Sequence, residues 1–115
     1  GAEYLKVYTD EALGHLISLA EKPTAIIAPR NCREMIKGLE ARGIRVPEDI
    51  SVSSVSYADS PLGEITRIVY DYSNILMWSV RRVFELLKGK NPGPQQHLEP
   101  PRLLEGTTCS KPADR

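Results

Sequence analysis

Two short apolar segments flanking a helix-length stretch constrain this chain more than any other feature. Residues Thr24 to Ala28 (TAIIA) form a continuous apolar run with β-branched members, the pattern of a strand buried on both faces of a parallel sheet. Ile50 to Tyr57 (ISVSSVSY) reads as a second strand, although its serines make the alternation imperfect. Between them Cys32, Met35, Ile36 and Leu39 form a helical apolar stripe, Asn31 and Glu34 stand at capping-box spacing, and Gly43 sits where a left-handed C-terminal cap is wanted. Strand, helix and strand in that order make a βαβ unit, whose strands run parallel and whose crossover is right-handed. The expected class is therefore α/β.

The flanking segments extend this unit. Leu13, Leu16, Ile17 and Ala20 share one face of a helix predicted over Asp10 to Lys22, with Thr9 as its cap and Pro23 as its stop. Downstream, a loop containing Asp59, Ser60, Pro61 and Gly63 leads to an extended piece, Thr66 to Tyr70. The longest helix follows, from Ser73 to Lys88, ended by Gly89 and Pro92. Leu76, Val80, Val83 and Leu87 line one face of it, and Ile75, Met77, Trp78, Phe84 and Leu86 widen the apolar arc. An arc that wide calls for cover on more than one side. Asn91 to Pro101 is a proline-rich connector, Arg102 to Glu105 a candidate final strand, and Ser110 to Arg115 a loose tail.

Charge and composition remove several classes of function. With 115 residues the chain is expected to make one domain, and 41% apolar with 26% charged residues is a globular rather than a disordered balance. Fifteen basic residues meet fifteen acidic ones, so this segment lacks the basic excess with which a domain grips DNA by itself. No apolar run is long enough to span a bilayer, and Gly1 to Tyr8 has no signal-peptide character, which gives no membrane partner and a cytoplasmic expectation. Cys32 and Cys109 lack metal-ligand spacing and read as two free thiols of a reducing compartment, with a disulfide as the open alternative. His15 and His97 have no acid pair or cysteine at catalytic spacing and read as solvated, as does the Arg81–Arg82 pair. Cys32 reads as an inert core thiol. Neither GxGxxG nor GxxxxGK[ST] occurs, and no metal site, cofactor or enzyme activity is expected.

The motifs in their order carry a resemblance. PTAIIA at Pro23 to Ala28, GIRVPEDISV at Gly43 to Val52, DSPL at Asp59 to Leu62, TRIVYDY at Thr66 to Tyr72, LLKG at Leu86 to Gly89 and LLEGTT at Leu103 to Thr108 resemble the effector domains of lactose-repressor/galactose-repressor transcription regulators. The likeness covers Pro23 to Thr108, and the second motif is its most specific part. It implies a partial parallel-sheet, three-layer fold of the periplasmic-binding-protein-like type I class, in which two lobes joined by three crossovers enclose a ligand cleft. Residues 1–65 would belong to the second lobe, 66–71 to a crossover, 72–92 to a first-lobe helix and 93–108 to a return strand, with 109–115 as the tail. The implied function is sensing of a small-molecule effector, a carbohydrate or related polar metabolite, by a homodimeric regulator. DNA would be met only through a helix-turn-helix domain that is not in this chain. A solute-binding protein of a transporter shares the fold and is the alternative.

Ligand contacts in such clefts come from the carboxyl ends of parallel strands. The resemblance directs attention to Arg30 and Asn31, where the family has an Asn-Asp pair and this chain reads PRNCRE, about two residues shorter. Asn31 has a capping role as its other reading. Tyr57 and Asp59 follow the second strand; between them Ala58 stands where the family has an acid, and it cannot accept a ligand hydroxyl. For Asp59 a turn role beside Ser60 and Pro61 is the plainer reading. Tyr70 and Tyr72 match the crossover, where an aromatic ring either stacks on ligand or joins the core. Met35, Ile36, Leu39 and Trp78 are the candidates for a dimer interface, with core packing as the other reading.

Overall fold

The computed structural model describes residues 2–57, 63–91 and 93–112. Its elements run α1 (Ala2–Ser18), β1 (Ala25–Ile27), α2 (Cys32–Ala41), β2 (Ser51–Tyr57), β3 (Arg67–Tyr70), α3 (Tyr72–Leu87) and β4 (Arg102–Leu104). One sheet carries the strands in the order β1-β2-β3-β4, with β1, β2 and β3 parallel and β4 antiparallel to β3. The βαβ unit is present, and the chain is α/β with a mostly parallel sheet.

Alternation sorts the sheet residues onto two faces. Ile26, Ala28, Val52, Ser54, Arg67 and Val69 share the face toward α1 and α2 through the registers Ile26 with Val52, Ser54 with Arg67 and Ser56 with Val69. Leu13 of α1, Cys32, Met35 and Leu39 of α2, and Ile50, Val52 and Ile65 make the buried core on that side. The opposite face carries Ile27, Ile68 and Leu103, which are 70%, 41% and 61% exposed. The expectation that TAIIA is buried on both faces is therefore corrected: β1 is the sheet edge, and helices cover one face only.

The helix ends show which local signals prevail. Helix α1 starts eight residues before Asp10 and ends at Ser18, well short of Pro23. Thr9 is not its cap; it lies inside the helix and is 4% exposed, since Ala2 to Tyr8 continue the helical run upstream. At the C-terminal end of α2, Gly43 has φ 76°, its N–H bonds the Glu40 carbonyl, and the Ile44 N–H reaches the Leu39 carbonyl. That pair of bonds is a Schellman closure, and it lets Ile44 fold back onto the core. Gly89 closes α3 in the same way, at φ 80° with Gly89 N to Leu86 O and Lys90 N to Glu85 O. Pro92 and the DSPL motif lie outside the described residues.

Helix α3 begins at Asp71, whose carboxylate accepts the Asn74 N–H at 3.1 Å. No α3 side chain is buried, and Leu76, Val83, Phe84 and Leu87 are all more than half exposed. The expected cover on several sides is thus absent among the described residues; the 93–101 segment alone runs back along one flank. There Arg82 donates to the Gly93 carbonyl at 2.8 Å, so the reading of both arginines as a solvated edge holds for Arg81 and not for Arg82.

Residues 106–110 are stitched to β2 rather than loose. Thr108 Oγ1 donates to the Val52 carbonyl at 2.5 Å and accepts the Thr66 N–H at 3.0 Å, while the Val52 N–H reaches the Thr108 carbonyl. Ser110 exchanges hydrogen bonds with Ser51 and donates to the Pro47 carbonyl. The loose tail predicted from Ser110 onward is corrected at Ser110; residues 113–115 lie outside the described residues.

Candidate functional site

Beyond β1 the chain turns through Ala28, Pro29 and Arg30 into α2, and here a groove of about 500 Å³ opens. Tyr8 and Ala12 of α1 form one wall, Ile27 to Asn31 the floor and rim, and Met35 of α2 the base. It lies at the carboxyl end of a parallel strand, where α/β sheets gather their ligand contacts. The walls are apolar, with the Arg30 guanidinium and the Asn31 amide as polar side chains, a composition suited to a small polar molecule with a hydrocarbon face.

Asn31 has φ 56° and ψ 32°, the one non-glycine residue at positive φ among the described residues. Its side chain makes no capping bond, so the capping-box expectation is corrected: from the left-handed conformation the amide does not reach the first-turn N–H groups. Asparagine tolerates this conformation better than most residues, yet it is a strained state of the kind concentrated at binding sites. Next along the helix, Arg33 forms a two-pronged pair with Glu64 just ahead of β3. Glu64's carboxyl is held below its ordinary range first by its own backbone N–H and then by Arg33. This pair ties the start of α2 to the segment that leads into β3.

Arg30 and Asn31 are thus brought together at the groove. Tyr70 and Tyr72 stand at the same end of the sheet, on β3 and at the start of α3, with ring centroids 6.3 Å apart. Neither lines the groove. The backbone of Tyr57 pairs with Tyr70, while its side chain and all of Asp59 lie outside the described residues. Met35 and Leu39 are buried in the core, Ile36 is half-buried against it, and Trp78 is half-buried beside His97. Tyr8, Ala12, Ile27, Ala28, Pro29 and Met35 are lining residues that sequence reasoning did not read as ligand contacts; Tyr8 was missed because the helix was expected to begin after it. His97, read as solvated, stacks on Trp78 and pairs with Glu99.

Among the described residues no group of histidine, cysteine and acidic side chains is placed to hold a metal ion, and no helix is long and apolar enough to cross a membrane. Both cysteines are free thiols. Burial pushes the Cys32 thiol up to about 11, so it is protonated at neutral pH, whereas Cys109 is exposed. Under native conditions, a thiol reagent such as Ellman's is expected to modify Cys109 promptly and Cys32 only at the rate of unfolding. Two equally fast thiols would show that the α2 stripe does not pack as described.

Residues 2–109 match the family of periplasmic binding protein-like domains. No curated protein matches the chain. Its fold is similar to that of a LacI family transcriptional regulator from Bifidobacterium animalis subsp. lactis, with a TM-score of 0.82 and 23% identity over 94% of this chain and 41% of that one. A structure from Bacillus cereus subsp. cytotoxis, titled as a transcriptional regulator LacI, gives a TM-score of 0.75 and 20% identity over 91% of this chain and 39% of its own. At these identities the likeness establishes the fold, and the chain spans about two fifths of each of those proteins.

Proposed function

Because the chain belongs to the periplasmic binding protein-like domain family, we propose that it is the effector-sensing part of a transcription regulator, with its ligand contacts at the carboxyl end of β1. The observation that carries this reading is the groove itself, in which Arg30 and the strained, uncapped Asn31 converge on an apolar floor. Both similar structures are named as regulators, which favours this role over a transporter's solute-binding protein. Residues 1–65 then belong to the second lobe, 66–71 to a crossover, 72–92 to a first-lobe helix and 93–108 to the return strand.

The effector is a carbohydrate or related polar metabolite. Arg30 supplies a fixed positive charge with several donors, and Asn31 both donates and accepts, a pair suited to hydroxyl or carboxylate groups. Tyr70 and Tyr72 stand at the cleft end of the crossover, where closing lobes bring a ring against the ligand. Ligand binding then shifts the balance between open and closed lobes by its differential affinity for the two. The regulator works in the cytoplasm as a homodimer and meets DNA through a helix-turn-helix domain encoded elsewhere in the protein. Ile36 and Trp78 keep some exposed surface for subunit contact, and Met35 and Leu39 support them from the core.

The test is a gel-shift assay on the intact gene product. It is expected to retain duplex DNA carrying its own promoter region, and that retention should change at least fivefold when the effector is added, as for a coupling of about 1 kcal/mol. A gene product without a helix-turn-helix segment and without DNA retention would overturn the regulator reading.

A further inference from the structure

A cluster remote from the groove joins α3 to the segment that leads into β4. The Trp78 and His97 rings stack with centroids 5.0 Å apart and planes 16° from parallel. His97 Nε2 lies 2.8 Å from Glu99 Oε2, and Asn74 Nδ2 donates to the other carboxylate oxygen at 3.1 Å. One turn further along α3, Arg82 holds the Gly93 carbonyl. The segment that sequence alone reads as an irregular connector is therefore fastened at both ends to one flank of the helix.

We propose that Trp78, His97, Glu99 and Asn74 form a proton-operated clasp, which grips residues 93–101 against α3 more tightly when the His97 imidazole takes up a proton. The uncharged ring offers a neutral hydrogen bond to Glu99 and a neutral face to the indole. The imidazolium offers a charge-assisted bond to the carboxylate and a cation within the roughly 6 Å at which an aromatic face attracts one. One proton strengthens both contacts.

Glu99 stays ionised while this happens. The hydrogen bonds from His97 and Asn74 hold its carboxyl below the usual carboxylate range. The other charged groups on this flank are Asp71 at the head of α3, whose charge acts on Glu99 against those two hydrogen bonds, and Arg82, which is paired with Glu85 at 3.8 Å. The clasp tightens when the imidazole carries its proton. It loosens again only when Glu99 is protonated, at a pH below the ordinary carboxylate range. Because β4 hangs from this segment and pairs with β3, the clasp makes the anchoring of the return strand responsive to pH.

Trp78 is the chain's only tryptophan, so its fluorescence reads the clasp directly. An imidazolium in contact quenches indole emission more than a neutral imidazole does. In the full chain, emission is expected to be lower at roughly pH 5, where an imidazole carries a proton, than at roughly pH 8. His97→Gln should abolish that fall, His15→Gln should leave it unchanged, and Glu99→Gln should make it smaller. Far-ultraviolet circular dichroism of each variant at neutral pH is expected to match wild type, since none of these side chains belongs to the buried core. Emission equal at the two pH values in wild type, a fall that survives His97→Gln, or an undiminished fall in Glu99→Gln would each overturn the proposal.

Discussion

Leu39→Ala is expected to destabilise the folded chain by about 2–5 kcal/mol, the range for emptying a well-packed aliphatic site. Leu39 is 1% exposed and sits where α1, α2 and β2 meet, in the cluster with Leu13, Met35, Ile50 and Val52. Its carbonyl accepts the Arg42 and Ile44 N–H groups that close α2, so loss of the side chain also loosens the turn from which Ile44 reaches the core. Urea denaturation followed by circular dichroism should show a lower midpoint with little change in slope. Leu87→Ala is the contrast. Leu87 is 76% exposed, and the same substitution there is expected to stay within about 0.5 kcal/mol. Equal losses at the two leucines would contradict the placement of the core beneath the sheet and away from α3.

Gly106→Ala is the second large effect, and it arises from backbone rather than cavity. A Cβ at position 106 would lie 2.3 Å from the Glu64 carbonyl oxygen and 2.8 Å from the Ile65 carbonyl carbon. Neither atom belongs to a flexible side chain that can swing aside, so the two segments must separate. The same crossing carries the bonds from Gly106 N to Thr66 Oγ1, from Thr107 N to Glu64 O and from Thr66 N to Thr108 Oγ1. Overpacking of this kind costs about 1–3 kcal/mol, and each buried hydrogen bond left unmade adds about 1–3 kcal/mol. The expected result is selective loss of amide protection in residues 102–110 before global unfolding. Hydrogen exchange with protection intact in that segment would show that the crossing has room that the geometry denies it.

The contrast between these two positions marks what was legible in the sequence. The βαβ unit, α3, the glycine closures at Gly43 and Gly89 and the final strand all follow from local signals: a period of 2 or 3.6, a breaker, a residue that tolerates positive φ. Leu39 belongs to that class. Gly106 does not, because the need for glycine comes from Glu64 and Ile65, more than forty positions away; only the LLEGTT resemblance drew attention to it. Thr9 misled because a threonine before two acids looks like a cap whether or not the helix continues upstream. Asn31 misled because capping-box spacing fixes the residues and not the backbone conformation that aims the side chain. His97 and Trp78 lie nineteen positions apart across a turn that periodicity does not reach.

The candidate site was legible to a similar degree. Arg30 and Asn31 were found from the strand end they follow, and they do line the groove. Tyr8 comes from the upstream part of a helix whose start was misplaced. Tyr70 and Tyr72 share an end of the sheet with the groove but do not line it. Ala58 stands where the resemblance leads to an expected acid, it cannot accept a ligand hydroxyl, and it lies outside the described residues.

The most direct measurement is a thermal-shift titration of the intact protein against pentoses, hexoses, purines and sugar acids, with wild type beside an Arg30→Ala, Asn31→Gly variant. Glycine keeps the positive-φ backbone at position 31 while removing the amide, so the variant tests recognition rather than strain. One ligand class is expected to raise wild-type stability by about 2.7 kcal/mol at a hundredfold excess over its dissociation constant, and to lose that effect in the variant. A ligand that stabilises both proteins equally, or a panel that stabilises neither, would contradict a site at the carboxyl end of β1.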